Sequence, residues 1–336
     1  MAIELKDLRQ LIKSNFQPEA GVNFSDVQSA TRNAIIEHFN LGNLTPREIK
    51  MNRELIMALI EESIDEVLPA KLETRVGDFA EVKDFARDAE VIFKISNKGK
   101  RRAYLTIKKG QRGGMYQAAR LDDIQMDLPT WTETVGVFVT LEEILLGRYS
   151  LVELMNNILD GFVERLYVQV IEALQAAATL APDANIGAGS GIDQSQLDGV
   201  IRVIASYGSP VIMGFHTVIS KITNALAYGS YSPNILGSDL EEIKNKGYVG
   251  MYKGTPIVRL PNYIINENTN ADWMLDESYL FVLPAGVKPV KVALKGDLHI
   301  QEVTHPTGSM EQNAHKMLGV GILMYNNIGI YEDQAV

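Results

Sequence analysis

Apolar side chains recur three or four residues apart in several stretches of the chain, and this spacing predicts amphipathic helices. One predicted helix begins with a cap-Pro-x-Glu sequence at Thr45 and is expected to stop at Pro69. The longest predicted helix covers 150–180, from a capping box at Ser150 to a stop before Pro182. Thirty residues of helix span about 45 Å, which suits a structural strut.

Alternating apolar and polar positions predict strands in three regions. Residues 91–95 and 103–107 are expected to pair as a hairpin around a turn at 97–99. A two-stranded hairpin is marginally stable by itself, so it needs a further surface to rest on. Valines alternate over 135–139 as another strand. The last 60 residues are mostly strand, with candidates at 279–283, 290–294, 298–303, 317–325 and 328–331.

Helices and strands alternate between residues 193 and 260, which predicts a compact α/β unit. The stretch 181–191 before it is rich in small residues and is interpreted as a loop and a boundary. The predicted elements are helices at 193–208, 218–229 and 238–247, and strands at 210–213, 248–252 and 255–260.

Charge is segregated along the chain. The 336 residues carry a formal net charge of −10, yet residues 91–121 contain nine basic side chains and no acidic one. These basic residues are Lys94, Lys98, Lys100, Arg101, Arg102, Lys108, Lys109, Arg112 and Arg120. The segment that follows is acidic and provides a candidate partner surface: Asp122, Asp123, Asp127, Glu142, Glu143, Glu153 and Asp160. A block of like charge inside an oppositely charged protein has to be solvated or partnered.

Two interpretations of the basic segment stay open. It can dock onto the acidic surface of another protein molecule, or it can follow the phosphates of a nucleic acid with Tyr104 and Tyr116 nearby. Charge complementarity with the neighbouring acidic segment favours the first. The sequence therefore indicates a self-assembling protein in which copies lie over one another, with a nucleic-acid-binding protein as the alternative.

Motifs for catalysis or cofactor binding are not recognisable in the sequence. Gly187-x-Gly189-x-Gly191 lacks the dinucleotide-binding spacing and is expected to form a loop. The five histidines are scattered, which gives no support for a metal site, and the absence of cysteine removes thiolate ligands and disulfides. The acidic residues between Glu61 and Glu66 are interpreted as a solvated helix face. No enzymatic activity, cofactor or metal is expected.

No apolar run approaches the roughly 20 residues needed to span a bilayer, so no membrane partner is expected. The first residues do not have a basic region followed by an apolar core, and no signal peptide is predicted.

The order of parts resembles the major capsid proteins of tailed bacteriophages, which share the Hong Kong 97-like fold. The residues that carry the resemblance are Asp122–Leu128 leading into Thr134–Val137, Gly208–Gly214 before a helix, Gly254–Val258, and Leu318–Ile322. The resemblance implies an α+β fold with an N-terminal arm (1–50), an extended loop (90–125), and an axial domain (191–274). It also implies a peripheral domain built from 51–89, 126–190 with the spine helix at 150–180, and the strands of 275–336.

The resemblance also implies a function. Copies of the chain would assemble as hexamers and pentamers into an icosahedral shell around double-stranded DNA, without sequence-specific contacts to it. The extended loop of each copy would lie across its neighbour, and a scaffolding protein and a portal are the further expected partners. The chain would be assembled in the host cytoplasm and located in the virion. An encapsulin-type compartment that holds a cargo enzyme is the alternative within the same fold.

Overall fold

The computed structural model describes residues 24–39, 46–95, 124–137, 151–228, 248–265, 268–304 and 310–335. Within these ranges the α-helices are α1 (Phe24–His38), α2 (Pro46–Val76), α3 (Leu151–Ala176), α4 (Gln194–Ala205) and α5 (His216–Tyr228). The predicted helix at 238–247 and the predicted strand at 103–107 lie outside the described residues.

Helix α2 continues past the residue at which it was expected to stop. Pro69 lies inside the helix, which ends at Val76. A proline inside a helix costs about 3 kcal/mol, because it removes a backbone hydrogen bond. Leu68 and Leu72 on either side are fully buried, and each such side chain contributes about 1.5–3 kcal/mol. Packing of the apolar face therefore outweighs the local break.

Helix α3 is the predicted spine helix, and it is slightly shorter than expected. It contains 26 residues and ends at Ala176, where a 3₁₀ turn over Ala177–Thr179 follows. The backbone N–H groups of Leu180 and Ala181 both donate to the carbonyl of Ala177. The last turn therefore tightens before Pro182 is reached, and the helix is about 39 Å long.

A four-stranded sheet packs on these two helices, in the order β1 (Ala80–Phe85), β10 (Val290–Thr304), β11 (Met310–Ile322) and β4 (Trp131–Val137). Strand β10 is parallel to β1 and antiparallel to β11, which is antiparallel to β4. The two strands predicted at 290–294 and 298–303 are one strand. The register shifts between Lys295 and His299, where Gly296 has a φ of 68°. The residues between the two predicted strands therefore form a β-bulge and not a turn.

A six-stranded sheet forms the second layer, in the order β5 (Ile186–Gly189), β12 (Gly329–Asp333), β9 (Tyr279–Pro284), β6 (Pro210–Gly214), β8 (Thr255–Arg259) and β7 (Met251–Tyr252). Strand β5 corrects the prediction of a loop at 181–191. It pairs in parallel with β12, which returns from the end of the chain. A Cβ on Gly187 would lie 3.1 Å from the Tyr331 ring and 3.2 Å from Val200. Glycine is therefore used for close packing in a strand, and not for loop flexibility.

The six-stranded sheet crosses the predicted domain boundaries at 190 and 274. Strands β5, β9 and β12 come from segments assigned to the peripheral domain, yet they form one sheet with β6 and β8 of the predicted axial domain, because β9 pairs with β6. Hydrophobic periodicity identifies a strand but not its partner, and these partners lie far away in sequence.

The two sheets share one hydrophobic core. Phe281 and Leu283 of β9 face the cluster that includes helices α2 and α3 and the strands of the four-stranded sheet. Leu280 and Val282 face the opposite side, where they pack against α4 and α5. The six-stranded sheet is thus buried on both faces, and α3 runs along the junction of the two layers.

Candidate assembly surfaces

Two antiparallel strands join the ends of the basic segment. Strand β2 (Ile92–Ile95) pairs with β3 (Ile124–Asp127), and we refer to this pair as the ribbon. Strand β2 therefore pairs with β3, and its predicted partner at 103–107 lies outside the described residues. The turn signal at 97–99 is local, whereas this pairing joins residues about 30 positions apart, a non-local contact. The ribbon falls at the two ends of the predicted extended loop, 90–125.

Few of the predicted charged residues lie in the described part of the chain. Lys94 is exposed and pairs in register with Gln125, and Asp127 is exposed opposite Ile92. Outside the described residues are Lys98, Lys100, Arg101, Arg102, Lys108, Lys109, Arg112, Arg120, Asp122, Asp123, Glu142 and Glu143.

The ribbon is fixed to the four-stranded sheet by a small apolar cluster of its own. Phe93 is fully buried, and its ring meets the Phe85 ring edge to face at a centroid distance of 5.6 Å. The Lys83 ammonium group lies 5.2 Å from the centre of the same ring. Val91, Leu128 and Ala293 complete the cluster. The two strands at the ends of the predicted extended loop are therefore packed against the four-stranded sheet.

Glycines in β11 make room for the link between β3 and β4. A Cβ on Gly321 would lie 2.3 Å from Leu128 Cδ1, and one on Gly319 would lie 2.7 Å from the Pro129 carbonyl oxygen. Leu128 is buried at this crossing. The Gly319-Val320-Gly321 sequence thus has a steric role, because only hydrogen at these two positions lets the link lie flat on the sheet.

Exposed carboxylates line the outer faces of the two long helices. Glu153, Asp160 and Glu164 are exposed on α3 at spacings of seven and four residues, so they share one helical face. Glu62, Glu66 and Glu73 are exposed on α2. We refer to these six residues as the acidic helix face. It contains two of the residues predicted for the acidic partner surface, Glu153 and Asp160.

Lys71 contacts this face from within the molecule, through Asp160. Lys71 Nζ lies 2.5 Å from Asp160 Oδ1, with 38% and 52% of the two side chains exposed. Solvent-exposed ion pairs contribute about 0–1 kcal/mol. A cationic side chain from another molecule can therefore replace Lys71 at little cost.

A groove of about 520 Å³ separates α2 from α3, with Lys71, Asp160 and Glu164 on its walls. Arg75 lies at one end, over the rings of Tyr167 and Tyr263 at 5.3 and 5.7 Å from their centres. Its guanidinium donates to the Tyr263 hydroxyl. Burial raises the pKa of Tyr167, whose hydroxyl donates to the Pro261 carbonyl at 2.7 Å. These contacts join the end of α2 to the segment after β8.

The carboxylates of Glu61 and Asp65 are not a solvated helix face, contrary to the sequence prediction. Strand β1 ends its pairing with β10 at Lys295. Beyond that point Asp65 Oδ2 accepts from the backbone N–H of Leu298, and Glu61 Oε1 accepts from that of Ile300, both at 2.5 Å. Helical residues four apart match strand residues two apart, at about 6 Å in each case. Beyond Lys295, helix α2 therefore covers the edge of β10 and accepts its backbone hydrogen bonds as a neighbouring strand would.

The same carboxylate of Asp65 binds a buried lysine. Lys316 Nζ lies 2.6 Å from Asp65 Oδ1 and also donates to the Gly296 carbonyl at the bulge. Burial raises the pKa of Asp65, and the hydrogen bonds from Lys316 and Leu298 act in the opposite direction. We take this pair as ionised, because a neutral carboxyl would leave the Lys316 charge buried without a counter-ion.

The described ranges contain no group of three or more His, Cys, Asp or Glu residues arranged to hold a metal ion. Among the helices in the same ranges, none is both long and apolar enough to cross a membrane.

Comparison with solved structures finds phage capsid proteins and also an encapsulin. The capsid of the cyanophage P-SCSP1u matches with a TM-score of 0.50 and 12% identity, over 76% of this chain and 86% of that one. The procapsid of satellite phage P4 matches with a TM-score of 0.49 and 10% identity, over 86% and 98%. The SrpI encapsulin of Synechococcus elongatus matches with a TM-score of 0.36 and 9% identity, over 74% and 84%.

Sequence comparison identifies the family. No curated protein matches the chain. The family model described as "SPbeta prophage-derived putative capsid protein YonB" matches residues 19–332. This range includes every described strand except the last residue of β12, and all five helices. The chain belongs to this prophage-derived capsid protein family and has the Hong Kong 97-like fold of tailed-phage major capsid proteins.

Proposed function

We propose that copies of this chain assemble as hexamers and pentamers into an icosahedral shell that encloses double-stranded DNA. The observation that carries this proposal is the capsid-family match over residues 19–332. A capsid subunit works through its surfaces, so the chemistry of assembly lies in exposed apolar and charged side chains and not in a catalytic centre.

The basic segment 91–121 docks over the acidic helix face of a neighbouring copy. Two features of the described residues support this step. The ribbon holds the ends of the segment firmly through Phe93 and Leu128, so the segment leaves the body at a fixed place. The acidic helix face is exposed, and the lysine that pairs with its Asp160, Lys71, is itself partly solvent-exposed. Complementary charge of this kind sets register and partner choice more than raw affinity.

The net charge of −10 limits the contact between the shell and its contents. Phosphate-binding proteins gain affinity from basic surfaces, and an acidic wall instead leaves packaged DNA free to slide. A scaffolding protein and a portal are the further partners we propose, with assembly in the host cytoplasm and the finished shell in the virion.

The test is electron microscopy of the purified chain, alone and co-expressed with the proteins encoded beside it. We expect closed shells, tubes or hexameric rings from the wild type. Replacing Lys100, Arg101 and Arg102 by Glu is expected to abolish these assemblies while circular dichroism stays unchanged. A control variant carries three reversals of the same charge elsewhere, at Arg202, Arg259 and Lys288, and is expected to assemble.

Three other outcomes contradict parts of the proposal. If the variant with Glu at positions 100–102 forms normal shells, the proposed docking of the basic segment is wrong. A persistent monomer whose DNA binding falls steeply with salt would support the nucleic-acid-binding alternative. Shells that hold a protein cargo and no DNA would support the compartment alternative.

A further inference from the structure

An exposed apolar hairpin follows strand β8. Its two sides are joined by hydrogen bonds from Ile265 N to the Asp272 carbonyl and from Met274 N to the Tyr263 carbonyl, at 2.8 and 2.9 Å. Ile265, Trp273 and Met274 project from it with 63%, 49% and 43% of their surface exposed. Exposed Trp, Ile and Met side chains in one ordered place are typical of a protein–protein contact.

The base of this hairpin is firmly held. The Asn262 side chain donates to the Leu275 carbonyl and accepts from the Leu275 N–H at 2.9 and 3.1 Å. Tyr263 receives the Arg75 guanidinium. The apolar side chains are therefore displayed on a rigid support, which lowers the entropy lost when they are covered.

The opposite end of α2 carries a second exposed apolar patch. Met51 and Leu55 are 75% and 61% exposed. Arg47, Met51 and Leu55 are spaced by four residues and lie on one face of the helix. We refer to these three residues as the α2 start patch.

The charges of the two patches are complementary. No lysine or arginine occurs between Arg259 and Lys288, and Asp272 is exposed next to Trp273. The α2 start patch instead places exposed Arg47 one turn before Met51. A contact that buries Trp273 against Met51 and Leu55 would bring Asp272 towards Arg47.

The two patches cannot cover each other within one molecule. The hairpin contacts Arg75 in the last turn of α2, whereas the α2 start patch occupies its first three turns. A helix of 31 residues is about 45 Å long. Complementary patches at opposite ends of a molecule produce head-to-tail contacts, which close into rings when the rotation allows it.

We infer that the apolar hairpin of one copy docks on the α2 start patch of a second copy, with Trp273 over Met51 and Leu55 and with Asp272 beside Arg47. This contact rests on the proposed function, since it requires that copies assemble. It is separate from the docking of the basic segment, because it uses none of the residues of 91–121 or of the acidic helix face.

The chain contains no cysteine, which permits a direct test. Leu55→Cys and Met274→Cys variants are prepared separately, mixed, placed under assembly conditions and treated with the thiol oxidant diamide. We expect a disulfide-linked dimer on a non-reducing gel. The control mixes Met274→Cys with Leu180→Cys, since Leu180 is 61% exposed like Leu55; the control is expected to give severalfold less dimer.

Charge reversal provides a second, non-covalent readout. Asp272→Arg alone and Arg47→Asp alone are each expected to raise the concentration required for assembly by about tenfold. The double variant is expected to restore assembly, because the pair is reversed but kept. A single variant that fails to assemble because it misfolds would have an altered circular dichroism spectrum, and the double variant would not restore its assembly.

The possible failures separate the two proposals. If the wild type assembles, but Leu55→Cys with Met274→Cys gives no more dimer than the control and the reversals do not rescue each other, the inferred contact is wrong and the capsid function stands. If the wild type forms no assembly alone or with its encoded neighbours, the proposed function is refuted and the contact with it.

Discussion

At the scale of single residues, Lys316 shows how a buried charge depends on its partners. Only 3% of its side chain is exposed, and Asp65 and the Gly296 carbonyl accept its hydrogen bonds. Removing one member of a buried pair leaves the other charge without compensation. We therefore expect Lys316→Met to lower the free energy of unfolding by about 3 kcal/mol, measured by denaturant titration.

The matched control is the exposed pair of Lys71 and Asp160, which has a similar distance of 2.5 Å. Water solvates both partners there, so Lys71→Met should change the free energy of unfolding by less than about 1 kcal/mol. Equal losses in the two lysine variants would show that burial is not the deciding factor.

Asp333 near the end of the chain links stability to pH. Burial would raise the pKa of Asp333, but hydrogen bonds from Lys221, Ala335 N–H and Gly191 N–H outweigh it and hold the pKa below its ordinary value. A carboxyl with a lower pKa in the folded state stabilises the protein at neutral pH, and this contribution is lost as the pH falls through its folded pKa.

We expect Asp333→Asn to lower the melting temperature at neutral pH and to flatten its decline between about pH 5 and pH 3. Melting curves at several pH values provide the measurement. Asp88→Asn, at an exposed position, should keep the wild-type slope. A wild-type slope in Asp333→Asn would mean that other carboxylates cause the acid sensitivity.

At the scale of elements, the sequence predicts what depends on local spacing. The apolar stripes of α2 and α3 were identified from the sequence, and so were the strands β6, β8 and β9, because periodicity and capping are read within a few residues. The sequence did not predict that β5 pairs with β12, or that Glu61 and Asp65 cover the edge of β10. These contacts join residues more than 140 positions apart, and no local signal identifies them.

The same distinction applies to the candidate surfaces. Opposite charge on the basic segment and on Glu153 and Asp160 was visible in the sequence. The acidic residues of α2 were not included in that predicted surface, since the packing of α2 against α3 cannot be read from local spacing. The exposed hairpin with Trp273 was missed for a related reason, because a lone tryptophan predicts a buried anchor as readily as an exposed one.

The crossing of the β3–β4 link over β11 leads to a prediction at this scale. In Gly321→Ala the new methyl group would meet Leu128 at 2.3 Å, so the link has to move. We expect a loss of about 1–3 kcal/mol in the free energy of unfolding, typical of overpacking. Faster hydrogen exchange at Phe93 and Leu128 should accompany it.

Gly199 in α4 is the control, because a Cβ there meets nothing within 4 Å. Gly199→Ala should leave stability unchanged or raise it by up to about 1 kcal/mol, since alanine favours the helix. If the clash is the cause, the double variant Leu128→Ala/Gly321→Ala should lose less free energy of unfolding than the sum of the two single losses, because the shorter side chain leaves room for the new methyl group. A double variant that loses the sum of both effects would contradict the steric explanation.

At the scale of the whole molecule, the two sheets behave as one body because they share a core. Met213, Phe281 and Ile330 of the six-stranded sheet belong to the same buried cluster as Leu166 of α3 and Leu294 of the four-stranded sheet. Neither sheet can lose its packing without exposing apolar surface of the other. A subunit built in this way transmits force between its parts, as a component of a closed wall must.

We therefore expect the subunit before assembly to unfold in one transition, although it contains two sheets. In scanning calorimetry the van't Hoff and calorimetric enthalpies should agree within error. Phe281→Ala should lower the single melting temperature and keep the two enthalpies equal, because Phe281 is fully buried in the shared core. Leu180→Ala, at an exposed position after α3, should leave the transition unchanged. Two separated transitions in the wild type would show that the sheets are independent domains, and the shared core would then contribute little to their coupling.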